Sequence, residues 1–163
     1  MLNGKEREAF ALHVIDEVRR WPGVEMRPHA GQGEPGESDG VEFRLFGRQI
    51  GHVHGDCAVH LALTKALKEM VVNEQLAEPL PVAPSSGWAM FNPIQQDDAE
   101  RAIWLLRLNY VRLRRQRMTP EAARESEVLQ QHQNALLAIS SDINRVLERT
   151  QRRAPRPLPS LEA

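Results

Sequence analysis

The chain has a single cysteine, Cys57, which excludes an intramolecular disulfide and suits a reducing compartment. No apolar run approaches the length needed to span a bilayer, so no membrane partner is expected. Charge of one sign is missing too. A formal net charge of −1 gives no global drive toward nucleic acid or anionic lipid. The first residues, MLNGKEREAF, carry acids early and no hydrophobic segment after a basic one. The expectation is therefore no signal peptide and a cytoplasmic protein. No GxSxG elbow occurs, which argues against a serine hydrolase.

At 163 residues, 41% hydrophobic and 26% charged, the composition is that of an ordinary globular chain with one domain plus an appendage. The most informative stretch is Val41 to Leu63, VEFRLFGRQIGHVHGDCAVHLAL. Val41, Phe43 and Leu45 alternate with Glu42 and Arg44, the period of a strand with one buried face. Gly47-Arg48 turns into a second strand, Ile50–His54, and a turn at Gly55-Asp56 leads to a third, Ala58–Leu63. The loop length of that last hairpin decides what its histidines do. A two-residue turn would pair His52 with Val59 and put His60 on the opposite face. A three-residue loop, Gly55-Asp56-Cys57, instead pairs His52 with His60 and Val53 with Val59. Only the longer loop separates Val53, Val59, Leu61 and Leu63 from His52, His54 and His60, and we adopt it. It requires Cys57 at a left-handed position.

Before this block, residues 4–21 have helical spacing, with Asn3 and Glu6 as a capping pair and Pro22-Gly23 as the stop. Val24–Pro28 reads as a first short strand. The acidic, glycine-rich residues 30–40 read as a surface connection, since they lack the strand-then-helix setting of a phosphate loop. After the block, Thr64 caps a helix to about Gln75. Pro79, Pro81 and Pro84 then suit an extended edge segment leading to a last strand with Trp88, Met90 and Phe91. A helix starts at Asp97 or Asp98 and runs through Gln116. Another, capped by Thr119 with Pro120 in its first turn, is expected to run to about Thr150. The ending RRAPRPLPSLEA has the composition of a disordered tail.

Three strings in order, GHVHGDCAVHL, AEPLPVAPSSGWAMF and DDAERAIWLLRLNYVR, resemble the luciferase-like domain family, a small bacterial and fungal domain of unknown function. The resemblance covers about residues 8–116. The order of elements is also similar to the MmcQ/YjbR-type α+β fold. The chain departs from the family pattern at Leu80, where the family carries histidine after the EP dipeptide, at Cys57, where glycine is common, and at Asn109, where serine is usual. The family label by itself implies no light-emitting chemistry.

Fold class follows: α+β, a small antiparallel sheet with helices on one face, plus a long C-terminal helix. The units are residues 1–117, a helix over 118–150, and a tail over 151–163. Two histidines at i and i+2 with a third across the hairpin can bring three imidazoles to one divalent metal, so His52, His54 and His60 are the candidate ligands. Asp56 or Glu42 would add an oxygen. Against this stands the plainer reading of half-exposed strand residues hydrogen-bonded to neighbours. Ser85-Ser86-Gly87-Trp88 either shapes a ligand pocket beside that face or is a turn before a core tryptophan. Cys57 beside His54 and His60 hints at a thiolate pair.

The helix over 97–116 has a second apolar stripe, Trp104, Leu108 and Val111. The last helix offers a heptad-like seam of Leu129, Leu136 and Ile143 with His132, Ile139 and Val146. Trp104, Leu108, Leu129, Leu136, Ile139, Ile143 and Val146 are thus candidate homodimer residues. The alternative is that the last helix folds back onto Trp104 within the chain, and a protein partner on the C-terminal helix or basic tail is a further expectation. Arg107, Arg112, Arg114, Arg115 and Arg117 read as a solvated basic face, and intervening acids disfavour nucleic acid. The leading expectation is a non-catalytic binding or assembly module that self-associates through its last helix. The alternatives are a small enzyme or metal/ligand binder using the histidine face with Trp88, and a nucleic-acid binder.

Overall fold

The computed structural model describes residues 1–30, 36 and 38–137. Its elements are α1 (Gly4–Val18), β1 (Val24–Ala30), β2 (Ser38–Leu45), β3 (Arg48–Val53), β4 (Val59–Ala62), α2 (Lys65–Asn73), β5 (Glu78–Pro79), β6 (Trp88–Phe91), α3 (Asp98–Arg115), α4 (Pro120–Glu125) and α5 (Glu127–Leu137). The fold is α+β. Six strands form one antiparallel sheet in the order β1-β2-β3-β4-β6-β5.

Local chemistry accounts for the boundaries. Asn3 and Glu6 form a reciprocal capping box at α1, and Thr64 accepts from Leu67 N at the start of α2. At α3 the acid that works is Asp98, whose carboxylate accepts from Ile94 N and Gln95 N. The helix expected from Thr119 onward is broken at Ser126. Its extended ψ of 108° interrupts the spiral, and its hydroxyl accepts from Leu129 N to start α5. Serine satisfies a helix N-terminus better than a helix interior, so one periodic pattern became two short helices. Ile139, Ile143, Val146 and the proline-rich tail lie outside the described residues.

One sheet face is the core. Phe43, Leu45, Ile50, Val53, Val59, Leu61 and Ala89 meet α3, which is flanked by α1 and α5. Twelve of the eighteen residues of α3 are buried, so it lies at the centre of the helical layer rather than on its surface. Trp104, Leu108, Leu129 and Leu136 are all buried within the one chain. Arg107, Arg112 and Arg114 are fasteners, which corrects the solvated-face reading for these three, while Arg117 is exposed. Arg112 is 4% exposed and donates to Asn109, Arg107 pairs with Glu17, and Arg114 donates to Pro22 O. Their long stems fill the helix junctions while their heads find acceptors.

Candidate functional site

The hairpin after β3 has the three-residue loop. His54 N donates to Ala58 O at 2.9 Å, His52 faces His60, Val53 faces Val59, and Cys57 has φ of 75°. All three histidines therefore stand on the sheet face opposite α3. Gly51, one residue out of phase with His52, marks the helix side, where an added Cβ would meet Leu106 at 2.8 Å. Cys57 turns away from the histidines. Its thiol is buried against α1 and donates to Arg7 O, and burial raises its pKa, so no thiolate pair forms.

Across the sheet, Glu42, His52, His60 and Met90 form one row of directly paired residues. The nitrogens of the triad come together above it. His52 Nε2 is 3.0 Å from His54 Nε2 and 3.1 Å from His60 Nδ1, and the third edge is also 3.1 Å. The carboxylate of Asp39 accepts from His54 Nδ1 at 2.7 Å, which turns the other nitrogen, Nε2, inward as the one free to ligate. Gln49 Nε2 donates to His52 Nδ1 at 2.7 Å, so in the neutral ring the His52 proton sits on Nε2, inside the triangle, and a metal there would take its place. Burial, reinforced by the neighbouring imidazoles, lowers the pKa of His52 to about 3. Burial and His54 lower that of His60 to about 4. At neutral pH these two rings are uncharged, which is the ligating form.

Gln49 reaches His52 because of a bulge. Phe43 pairs with Gly51 while Arg44 pairs with Gln49, so Ile50 is an extra residue in β3. The shift sends Ile50 into the core and turns Gln49 onto the histidine face, where strict alternation would hide it. Asn109 of α3 secures the distorted strand, donating to Ile50 O at 2.7 Å and Ala62 O at 2.9 Å. Asp39 depends on Gly40 in a similar way. Gly40 has φ of 97°, and a Cβ there would fall 1.8 Å from Val53 O, so only glycine brings β2 close enough. The hydrogen bond from His54 and that from Gly55 N hold the Asp39 pKa below its usual value.

His29, Asp39 and Gln49 were not singled out by sequence reasoning. His29 and Asp39 flank the 30–40 connection, whose glycines mask the strand pattern on either side, and Gln49 depends on the bulge. Of the two oxygens proposed from sequence, Asp56 accepts from Ala58 N within the turn, and Glu42 meets His29 at 3.5 Å and also engages Arg44. His29 with His52 and His54 forms another grouping, one nitrogen from each lying within 4.8 Å. The His52/His54/His60 set is the better donor set. His29 lies flat on His52, with centroids 3.6 Å apart and planes 15° apart. In-plane lone pairs of parallel stacked rings do not converge.

The triad opens into a cavity of about 540 Å³, also lined by His29, Ala30, Asp39, Gln49, Leu80, Val82 and Trp88. Trp88 stands 5.7 Å from His52, centroid to centroid. It is held by the preceding loop. The Ser86 hydroxyl accepts from Trp88 N and donates to Ala83 O, while Lys68 Nζ donates to Pro84 O and Ser86 O. Gly87 is obligatory there, since a Cβ would lie 2.3 Å from Leu63 O. The Ser86 hydroxyl is thus a loop staple and has no base beside it.

Among the described residues, no helix is long and apolar enough to cross a membrane. No curated protein and no solved structure matches the chain. Residues 47–109 fit the family model described as Luciferase domain, a match that spans the triad, Gln49, Trp88 and Asn109 but excludes His29, Asp39 and Glu42, so this stretch is similar to that family.

Proposed function

We propose that the protein binds one divalent transition metal through His52, His54 and His60 and presents it to a small molecule in the adjoining cavity. The observation that carries this reading is the triangle of imidazole nitrogens with edges of 3.0–3.1 Å. A metal about 2.1 Å from each nitrogen would stand about 1.1 Å off their plane, with N–metal–N angles of about 95°. That angle lies between octahedral and tetrahedral values and leaves the cavity side of the ion free. Three protein ligands and an open position describe a working metal centre rather than a structural one, which is closed by four. Neutral imidazoles suit zinc, iron, nickel, copper and cobalt. Asp39 on the outer nitrogen of His54 is the partner such a ligand uses to fix ring and tautomer, and Gln49 on that of His52 would serve the same end with its amide reversed.

Self-association through the last helix draws less support. Trp104, Leu108, Leu129 and Leu136 are covered by the chain's own α3–α5 packing, which leaves Ile139, Ile143 and Val146, outside the described residues, to carry it. The nucleic-acid reading loses Arg107 and Arg112 to internal contacts.

Untagged protein, dialysed against zinc or cobalt and then against buffer, tests the proposal by native mass spectrometry and elemental analysis. One ion per chain is expected, and none in His52→Ala/His60→Ala that keeps wild-type circular dichroism. Wild-type protein that retains no ion, or a double variant that retains it fully, would end the reading.

A further inference from the structure

The cavity around the triad has a composition that restricts what an open metal position would hold. Ten of the described side chains line it, and among these none is Lys or Arg. Three neutral imidazoles leave a bound divalent ion with its full double charge, so the free positions favour an anionic oxygen donor. Among the described residues the one carboxylate in the lining is Asp39, committed to His54 and to Gly55 N, and it opposes further negative charge. A phosphate or other dianion would therefore find one cation and one repelling carboxylate, with none of the arginine or lysine forks that phosphate sites use. A monoanion is matched by the metal alone.

Beside the histidines, Asp39 and Gln49, the lining is apolar: Ala30, Leu80, Val82 and Trp88. Trp88 offers a flat indole, tilted 50° to His52, and its position is set by Gly87, Ser86 and Lys68 rather than left to a free rotamer. A rigid aromatic wall favours a planar or branched body and costs little ordering entropy on binding. The volume, about 540 Å³, fits a small organic molecule and lies within the usual range for ligand pockets.

We infer that the site takes a small organic monoanion, a carboxylate, phenolate or enolate, whose oxygen meets the metal while an apolar planar body lies against Trp88, Leu80 and Val82. This rests on the metal reading above, and the two fail differently.

Cobalt-loaded wild-type protein is titrated with benzoate, acetate and sulfate while the visible absorption of the cobalt centre is followed. Benzoate is expected to bind at least about tenfold more tightly than acetate, since its ring adds several buried carbons, and sulfate least tightly. Trp88→Ala should cut the benzoate-to-acetate ratio to about twofold with cobalt stoichiometry unchanged. Val82→Asp serves if that variant does not fold. Val82 is 82% exposed, so the change is safe for the core, and it should weaken benzoate more than acetate. Equal affinity for benzoate and acetate, tighter sulfate, or a ratio insensitive to both substitutions overturns the ligand class while leaving the metal site standing. Absence of cobalt absorption overturns both.

Discussion

His52 and His132 are both buried imidazoles whose protonation desolvation suppresses, His52 to about 3 and His132 to about 4. Their surroundings differ in where the ring nitrogens point. His132, on α5, closes a junction with Trp21 and Tyr110, rings 5.2 and 4.6 Å away. Its Nδ1 accepts from Arg107 Nε at 3.2 Å, and Arg107 is itself anchored by Glu17. That nitrogen has a donor and the junction is a fastener. At His52 the inward nitrogen faces two other imidazole nitrogens and an open cavity. Depressed basicity is therefore common to a structural and a functional histidine. What separates them is a convergence of three imidazole nitrogens on one point beside an open cavity.

The comparison is tested first by exchanging what each region loses. Metal binding at a thousandfold excess over Kd should stabilise wild-type protein by about 4 kcal/mol. His52→Ala should lose nearly all of that gain. His132→Ala should keep it, yet lower the stability of the metal-free protein by about 1–3 kcal/mol, because Arg107 loses its buried acceptor. Urea unfolding with and without zinc reads both effects. A His132 variant that loses the zinc gain, or a His52 variant that keeps it, would show that the two regions are not distinct in kind.

A milder change probes the support of the triad rather than the triad itself. Asp39→Asn keeps the size of the side chain but lets it offer an amide to His54 Nδ1, unsettling the tautomer that aims Nε2 inward. Metal affinity should fall about 10- to 100-fold with little change in the fold. Competition against a chromophoric chelator measures this, and an unchanged affinity would reduce Asp39 to a loop anchor for Gly55.

Much of this contrast was readable in the sequence, and the limits are instructive. The hairpin register followed from one requirement, that valines and leucines share a face, and it placed His52 opposite His60 before any coordinates. Caps at Asn3 and Thr64 were equally legible, because a side-chain acceptor beside orphan amides is a local property. Gln49 was not legible, since its direction depends on an extra residue in β3 that Asn109, sixty positions later in the chain, stabilises. Asp39 was hidden by the glycines that let it approach His54. The arginines of α3 misled for a related reason. A charged residue at helical spacing looks solvated until the partners that bury it, Glu17 and Asn109, are placed in space. His132 fell within the heptad-like seam, and only packing separates a seam from an internal junction.

The smallest expected effect concerns acid stability. The pKa of His132 is lowered in the folded protein, from about 6.5 to about 4, by burial and then by Arg107 and Arg114. The unfolded chain therefore binds more protons between those values, so stability rises with pH across the window. His132 contributes its full share above about 6.5, loses it as pH falls toward 4, and adds no further slope below. One proton's difference is worth about 1.4 kcal/mol per pH unit at most. His132→Gln can still accept from Arg107 but cannot titrate. Metal-free wild-type protein and this variant, unfolded in urea at pH 7, 6, 5 and 4, should diverge progressively below pH 6.5, with the variant losing stability less steeply. His52 and His60 remain in both proteins, so their own acid sensitivity cancels in the difference. Parallel curves would mean that the α5 junction opens to solvent before His132 is protonated, and its histidine would then be held in place by packing alone.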